Sequence, residues 1–375
     1  MELSPLRRAF LYIGSRADAI RLVPLAAHLK SSGWGRPLVF IGNDEYEECT
    51  EILRLFNQRS FHRILPSEHA KSPPVADAYA QLRAYCVELF GRIRPDFVAF
   101  YGDAPASYVV AAAAYIKRIP VIHLESQLCS AGGRQTVPQA VLRGINSLLT
   151  SLHIAPSTAR ARLLGEECQI PPAVSITGDL IADTLRLIYT SEAAFKDETL
   201  ARFYAAPNLL VVAYTTARDA HSESFRYAEG LIRHLAQRNP EVNFAISAHM
   251  SIGLRRSVLR RTAHLHNLHV CGAQSYAQVA HLLRRSAVAL IRSTGPYEEA
   301  SFLGVPIISI PPMGCPVPAT ARSIETYLHA GQDCGSRAAA LATSPSVAMQ
   351  CYQAIKAYFE ATPSTCFIQN ATKAY

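Results

Sequence analysis

The sequence predicts an α/β protein made of two doubly wound halves that face one another across a central cleft. Short apolar runs rich in β-branched residues alternate with amphipathic helical stretches, which is typical of a parallel sheet covered by helices on both faces. The alternation starts afresh after a polar stretch at about Ser191–Pro207 that has no strand signal. The 375 residues suffice for two domains of ordinary size or one very large domain. We therefore expect domains at 1–190 and 191–354, with a C-terminal helix and tail at 355–375 that packs back on the first domain.

The first half opens with a strand at Ala9–Gly14, an apolar run that ends in glycine. The next stretch, Asp18–Ser31, places its apolar residues on one side at helical spacing. Five further runs are short, apolar and bounded by Gly, Pro or Asp, as buried strands are. They are Leu38–Gly42, Asp96–Gly102, Val121–Leu124, His153–Pro156 and Ser175–Gly178.

The second half repeats this organisation. Its predicted strands are Asn208–Ala213, Val242–Ser247, Leu268–Cys271, Ala287–Arg292 and Val305–Ile310, and its clearest helices are Ser224–Gln237, Tyr276–Arg285 and Tyr297–Gly304. A last helix is expected at about Val347–Ala361. Ligands bind such sheets at the carboxyl ends of the strands, so functional residues are expected just after strands.

Composition narrows the class of protein. The chain has 49% apolar and 18% charged residues. This composition excludes a wholly disordered chain, a collagen and a coiled coil. No apolar run approaches the 18 residues of a membrane helix, and Ala9–Ile13 is too short for the core of a signal peptide, so we expect a cytoplasmic protein. The nine cysteines lie singly without metal spacing, which predicts free thiols and no metal or cofactor. The charge of +8 fits an anionic substrate as well as nucleic acid or a membrane surface.

Two features of the first half carry candidate chemistry. The turn from Gly14 to Asp18 opens a helix, which suits phosphate or sugar binding, and Arg16 and Arg21 lie about 1.4 turns apart, so both can face one cleft. A capped helix with two surface arginines is the alternative. Asp103 and Glu125 follow neighbouring strands. Two carboxylates in one pocket are candidates for acid and base catalysis. The alternative for Asp103 is the N-cap of a helix, a position where aspartate is common.

The most specific segment of the second half runs from Ile291 to Ala300. It passes from a strand end through small residues into a helix that opens with Glu298 and Glu299. The backbone amides of Ser293–Gly295 can hold a diphosphate, and a glutamate one turn on can accept two ribose hydroxyls. Ordinary acidic bias in a first helical turn is the alternative.

Four segments together resemble the UDP-N-acetylglucosamine 2-epimerase family. GSRADAIRLVPL is similar to the family's GTRPEAIKxxPL, and YGDAPASYVVAAAAYIKRIPVIHLESQL to its HGDTxxxxxxAxxAxxxxIPVxHxEAGL. SITGDLIADTL is similar to VTGNxxxDxL, and RSTGPYEEASFLGVPIISI to DSGGxQEEAxxLGxPVLxx. The four matches stand in family order from Phe10 to about Ile310. The chain is thereby identified as a divergent member of this family.

The resemblance implies a fold, a substrate and a set of site residues. The fold is the glycosyltransferase-B type with two Rossmann-like domains, and the substrate is a UDP-N-acetylhexosamine whose UDP is bound mainly by the second half. A homodimer without metal or cofactor is expected. The implied catalytic residues are Asp103, Glu125 and His249, and the implied substrate-binding residues are Arg16, Arg21, Arg143, Arg218, Ser293, Thr294, Gly295, Glu298 and Glu299.

Departures from the family pattern leave three functions open. The family's PEExNR run is Pro138–Arg143 here and has lost both carboxylates, and its xHRREN segment is Ala213–Arg218, without the His and the first Arg. Retention of Asp103 and Glu125 favours a 2-epimerase, hydrolysing or non-hydrolysing. The losses favour a glycosyltransferase that passes the sugar to a saccharide or other acceptor. A sugar-nucleotide sensor or partner subunit without catalysis is the third function.

Overall fold

A computed structural model describes residues 6–42, 45–64, 75–126, 137–167, 173–215, 223–248, 250–291, 296–309, 321, 324–326, 328, 341 and 344–362. The chain divides into two units. Unit 1 consists of Met1–Thr184 and Pro345–Tyr375, and unit 2 of Leu185–Ser344.

Unit 1 is built on a seven-stranded parallel sheet. In chain order its strands are β1 (Arg7–Ile13), β2 (Gly35–Ile41), β3 (Phe61–Arg63), β4 (Phe97–Tyr101), β5 (Val121–Leu124), β6 (Leu152–Ala155) and β7 (Val174–Ile176). In space the order is β3-β2-β1-β4-β5-β6-β7. The direction of winding therefore reverses between β1 and β4, and the carboxyl ends of all seven strands lie along one edge, where such sheets bind ligands.

Helices connect these strands and cover the sheet. They are α1 (Arg16–Ser31), α2 (Tyr46–Leu55), α3 (Val75–Ile93), α4 (Pro105–Ile116), α5 (Val137–Leu149), α6 (Thr158–Glu167) and α7 (Ile181–Tyr189). A core rich in phenylalanine lies between helices and sheet. Phe10 stacks on Phe40 with ring centroids 4.5 Å apart, and Phe90 meets Phe10 edge-on at 4.8 Å. These aromatic contacts fix β1 and β2 against α3 and so hold the strand ends rigid.

The start of α1 is set by a capping box, and its middle by a contact from α7. Ser15 and Asp18 exchange hydrogen bonds with each other's backbone N–H groups. Pro24 lies inside the helix and has no N–H to donate to the carbonyl of Ile20. The hydroxyl of Thr184 donates to that carbonyl instead, at 2.6 Å. This bond ties α7 to α1 and satisfies a buried acceptor.

The final helix, α13 (Val347–Ala361), belongs to unit 1. Asp183 accepts a hydrogen bond from the backbone N–H of Ala348 at 2.6 Å, at the N-terminus of this helix. Phe359 packs near Trp34 and beneath the guanidinium of Arg7, whose carbon lies 4.7 Å from the ring centroid. Helix α13 therefore covers the side of the unit 1 sheet on which α1 lies.

Unit 2 repeats the winding with five parallel strands in the order β10-β9-β8-β11-β12. After α8 (Glu198–Ala205) its elements are β8 (Leu210–Thr215), α9 (Glu223–Arg238), β9 (Asn243–Ala248), α10 (Ile252–Thr262), β10 (Leu268–Cys271), α11 (Tyr276–Arg285), β11 (Val288–Ile291), α12 (Tyr297–Leu303) and β12 (Ile307–Ser309). Its core is aliphatic and surrounds Phe225 and Phe244.

The predicted fold class is confirmed, because both units are parallel, doubly wound α/β sheets. The predicted strands occur with ends shifted by a few residues. The predicted elements did not include β3, which has three residues, α8, which lies inside the polar stretch that separates the two series of strands, or α10, which follows β9. Within the described part of the chain, no helix combines the length and apolar character that spanning a bilayer requires.

Candidate active site

The candidate site lies at the carboxyl ends of β4, β5 and β6 in unit 1. Asp103 follows β4, Glu125 follows β5, and the next strand carries His153. His123 of β5 and His153 of β6 are register partners, so they lie side by side in the sheet. Because the strands are parallel, their ends meet at one edge, and side chains far apart in sequence converge there.

Glu125 is the most enclosed residue of this cluster. One of its oxygens, Oε2, accepts hydrogen bonds from Nη2 and Nε of Arg160 at 2.8 and 3.2 Å. The other, Oε1, accepts from Nδ1 of His153 at 2.6 Å. Burial alone raises the pKa of Glu125, but the charge of His123 and the contacts with both histidines outweigh it and hold the pKa well below its usual value. Glu125 is therefore a fixed carboxylate.

His123 makes its hydrogen bond through Nε2, whereas Nδ1 lies close to a carboxylate oxygen without hydrogen-bond geometry. Its Nδ1 lies 2.9 Å from Oε1 of Glu125, and its Nε2 donates to the carbonyl of Gly102 at 3.0 Å. Burial lowers the pKa of His123, whereas Glu125 and Asp103 raise it, and the net direction is upward. This upward shift favours the imidazolium form of His123. The pKa of His153 is lowered by burial and by the positive charge of His123, so His153 is the neutral neighbour.

Asp103 stands at the outer end of the cluster. Nε of Arg143 lies 3.3 Å from its Oδ2, and Nε2 of His123 lies 3.8 Å from its Oδ1. The Asp103 side chain is 11% exposed, whereas that of Glu125 is 1% exposed. Asp103 is therefore the more exposed of the two carboxylates, and His123 lies between them. Charges alternate from Arg143 through Asp103 and His123 to Glu125 and Arg160.

The structure thus brings three sequence-predicted residues together: Asp103, Glu125 and Arg143. It adds His153 and Arg160, which the sequence analysis missed. One signal for His153 was available, since the strand sequences VIHL and LHIA each carry a histidine among apolar residues. Arg160 could not be recognised from the sequence around it, because α6 carries more than one arginine and only the fold shows which of them is buried.

Arg21 occupies a second place at the same edge of the sheet. Its Nε and Nη2 donate to the two carboxylate oxygens of Asp179, at 2.9 and 3.1 Å, and its guanidinium carbon lies 4.3 Å from the Tyr101 ring centroid. The ion pair is almost fully buried. Asp179, which follows β7, is a further residue that sequence reasoning missed. Arg16 lies in the first turn of α1, where its backbone N–H donates to Glu45 at 2.9 Å.

In unit 2 the described candidates are Glu298 and Glu299, in the first turn of α12. Glu299 is buried and Glu298 is partly exposed. Five candidates lie outside the described residues: His249, Arg218, Ser293, Thr294 and Gly295.

A metal ion fits the buried cluster poorly. His123, Glu125 and His153 place possible ligand atoms within 4.8 Å of one another. Nδ1 of His153 already donates a hydrogen bond to Glu125 at 2.6 Å, however, and Arg160 holds the other oxygen of the same carboxylate. A divalent cation there would lie beside a guanidinium and an imidazolium, which like-charge repulsion opposes. These side chains are therefore better described as a hydrogen-bonded group than as a set of metal ligands.

Comparisons with known proteins show the family that the chain resembles. A family model described as UDP-N-acetylglucosamine 2-epimerase matches residues 53–313. The UDP-N-acetylglucosamine 2-epimerase of Neisseria meningitidis is 24% identical over 299 residues, which cover 79% of this chain and 80% of that protein. The Escherichia coli K12 enzyme of the same name is 23% identical over 305 residues and covers 79% of each chain.

The fold also has solved counterparts. A crystal structure of UDP-GlcNAc 2-epimerase from Neisseria meningitidis bound to UDP-GlcNAc superimposes with a TM-score of 0.71 at 18% identity. The superposition covers 94% of this chain and 100% of that one. At this level of identity the likeness concerns the fold, and it extends through both α/β units.

Proposed function

Because the chain belongs to the UDP-N-acetylglucosamine 2-epimerase family, we propose that it acts on a UDP-N-acetylhexosamine by abstracting the proton at carbon 2 and eliminating UDP. The observation that carries the proposal is the carboxylate of Asp103, which is more exposed than that of Glu125 and lies between Arg143 and His123. A base that a ligand can reach, fixed between two cations, is what this reaction requires of a protein.

In the proposed reaction the carboxylate of Asp103 accepts the proton from carbon 2. The electron pair of that C–H bond forms a double bond between carbons 1 and 2, and the bond from carbon 1 to the diphosphate oxygen breaks. UDP leaves with that electron pair. Arg143 and His123 hold Asp103 in place from two sides, so the carboxylate needs little reorganisation when the substrate arrives.

Glu125 has a different task in this proposal. Because it is enclosed by Arg160, His153 and His123, it does not exchange protons with a substrate. It keeps His123 charged and oriented towards Asp103. The two carboxylates predicted as an acid–base pair thereby divide into a reactive group and a group that positions its partner.

The UDP moiety is assigned to unit 2 and to the arginine at the start of α1. Glu299 is proposed to accept the ribose hydroxyls, with Glu298 beside it. Ser293, Thr294, Gly295, Arg218 and His249 are proposed to contact the diphosphate or the leaving group, together with Arg16. The family resemblance of these segments and the position of the two glutamates in the first turn of α12 support this assignment.

Product analysis tests the function. The protein is incubated with UDP-N-acetylglucosamine alone and followed by proton and phosphorus NMR. We expect UDP-N-acetylmannosamine, or N-acetylmannosamine with UDP, to form without any acceptor, and Asp103→Asn to form neither. UDP release that requires an added saccharide would establish the glycosyltransferase function instead, and binding without turnover would establish the sensor.

We also propose a homodimer that works in the cytoplasm. The large apolar side chains of Tyr115, Ile116 and Leu148, near the C-terminal ends of α4 and α5, are more than half exposed. Apolar surface of this kind favours association. Light scattering in solution should give twice the mass of one chain, and cell fractionation should place the protein with cytoplasmic markers; a monomer, or recovery with membranes, would contradict this.

A further inference from the structure

Two histidines approach the same oxygen of Glu125. Nδ1 of His153 lies 2.6 Å from Oε1, and Nδ1 of His123 lies 2.9 Å from it. Only the first approach is a hydrogen bond, since Nδ1 of His123 is buried and makes none within the described part of the chain. The other oxygen, Oε2, is bound by Arg160. The two histidines therefore compete for one acceptor, and His153 holds it.

The partners of the two rings fix where their protons lie. A backbone carbonyl can only accept, so Nε2 of His123, which lies 3.0 Å from the carbonyl of Gly102, carries a proton in both charge states. The nitrogen of His123 that gains or loses a proton is therefore Nδ1, which faces Glu125. An ionised carboxylate also only accepts, so Nδ1 of His153 carries the proton of its bond to Glu125.

The surroundings of His123 are charged on several sides. The described charged and titratable groups around its ring are Asp103 after β4, Glu125 after β5, Arg143 of α5, His153 of β6 and Arg160 of α6. The two arginines bind the two carboxylates, and the ring of Phe100 packs on the imidazole at 4.8 Å without adding charge. A change at His153 thus removes one hydrogen bond from Glu125 and leaves both arginine pairs in place.

We propose that His153 is a positioning residue that occupies Oε1 of Glu125, keeps this oxygen from binding the Nδ1 proton of His123, and thereby sets the upper pH limit of activity. This role rests on the proposed function, in which the positive charge of His123 holds Asp103 from one side. Once Nδ1 loses its proton, Asp103 keeps only the charge of Arg143 beside it, and turnover falls.

NMR of the histidine rings tests this role without a substrate. The rings are isotope-labelled, and the resonances of His123 are identified by their loss in His123→Gln. In His153→Leu the donor to Oε1 is gone, so that Nδ1 of His123 can take this oxygen as its own acceptor. We expect His123 to keep its proton to a pH that is higher by about one unit, the effect of one hydrogen bond to the charged form.

Two control variants separate this role from packing. His153→Asn keeps an amide N–H at the δ position, where Nδ1 stands, and His123 should then titrate as it does in the wild type. His281→Leu makes the leucine change at a buried histidine of α11 in unit 2, beside the rings of Tyr189 and Tyr204, and should leave the titration of His123 unchanged. A purely structural role of His153 would not distinguish leucine from asparagine.

The pH profile of kcat/KM for UDP-N-acetylglucosamine tests the link to activity. This profile reports the essential protonation states of the free enzyme. We expect its alkaline limb to move upwards by about one pH unit in His153→Leu and to stay in place in His153→Asn. Should His153→Leu not fold, His153→Met takes its place with the same expectations, because methionine is also without a donor and adapts to irregular space.

The two measurements fail in different ways. If the wild type does not turn over UDP-N-acetylglucosamine, the proposed function fails and the limit on activity falls with it. If turnover occurs but His123 titrates alike in the wild type and in His153→Leu, or at lower pH in the variant, the role of His153 alone is wrong. A shifted titration of His123 with an alkaline limb that stays in place would also overturn it.

Discussion

The pKa values of two histidines in matched positions shift in opposite directions, that of His123 upwards and that of His153 downwards. His123 and His153 are register partners on neighbouring strands, and each places a ring nitrogen within 3 Å of Oε1 of Glu125. His123 also faces Asp103 and the carbonyl of Gly102, so that it is surrounded by acceptors. His123 lies between the more exposed carboxylate of Asp103 and the enclosed carboxylate of Glu125.

Asp103→Asn tests the role of the accessible carboxylate. The amide has nearly the same shape and keeps an oxygen for Arg143, but it cannot take a proton from carbon 2. We expect turnover to fall by about 10²- to 10⁴-fold, the usual contribution of a positioned general base. The dissociation constant of UDP, measured by calorimetry, should stay the same. A variant that keeps its turnover would remove Asp103 from the proton transfer.

Arg160→Met tests the enclosed carboxylate. Removing one partner of a buried ion pair leaves an uncompensated charge, so we expect a loss of about 3–5 kcal/mol in the free energy of unfolding at neutral pH. Arg162→Met is the control on the same helix. Its partner Glu166 is exposed, and its loss should cost less than about 1 kcal/mol. Urea denaturation measures both changes, and equal costs would contradict the account.

The pH dependence of that loss has a definite sign. The pKa of Glu125 is lowered in the folded protein by the two histidines in spite of burial, so its stabilising contribution is present above the unfolded pKa and disappears as the pH falls through the folded one. Arg160→Met allows Glu125 to protonate more readily. The difference in stability between wild type and variant should therefore shrink in acid, and a difference that grows there would refute the assignment.

At the scale of the element, α1 is held to α7 by a single hydroxyl. Pro24 leaves the carbonyl of Ile20 without its helical donor, and Thr184 supplies one at 2.6 Å. Thr184→Val keeps the shape and removes the donor, so a buried carbonyl is left unsatisfied, at an expected cost of about 1–3 kcal/mol. Thr190→Val is the control, because its hydroxyl bonds an exposed carbonyl one turn back. Denaturant unfolding of both variants decides whether the bond has this role.

The capping box of α1 predicts a second pH effect. Burial raises the pKa of Asp18 to about 6, although the N–H groups of Gly14 and Ser15 and the charge of Arg21 act in the opposite direction. The folded protein then binds a proton that the unfolded chain has released, so this group lowers stability as the pH rises from about 4 to about 6.

Asp18→Asn removes that titration. Relative to the variant, wild type should lose up to about 3 kcal/mol of unfolding free energy between pH 4 and pH 7. Thermal or urea unfolding at several pH values measures this difference. A constant difference between the two proteins across this range would show that Asp18 does not titrate there.

At the scale of the whole molecule, the alternation of apolar runs and amphipathic stretches was enough to predict two doubly wound sheets. Buried parallel strands such as β4 and β8 are almost continuously apolar, which makes them visible in the sequence. The exceptions are marginal elements. β3 has only three residues, two of them exposed, and α8 lies in a polar stretch and buries only Leu200 and Phe203. Neither carries enough periodicity to be recognised.

The candidate site was predictable to the extent that it follows from strand ends. Asp103 and Glu125 come directly after apolar strands, and parallel pairing brings them to one edge. Arg160 and Asp179 could not be found in this way, because their partners are set by how α6 and the segment after β7 pack against α1 and β5. The sequence shows which residues can be charged, and the packing decides which charges meet.

The central claim is that a proton leaves carbon 2 of a UDP-N-acetylhexosamine at the carboxylate edge of unit 1. Incubation with UDP-N-acetylglucosamine in deuterated water, followed by NMR of the recovered sugar, tests it most directly. We expect deuterium at carbon 2 with the wild-type protein and none with Asp103→Asn. Turnover that leaves the original proton at carbon 2 would contradict the account.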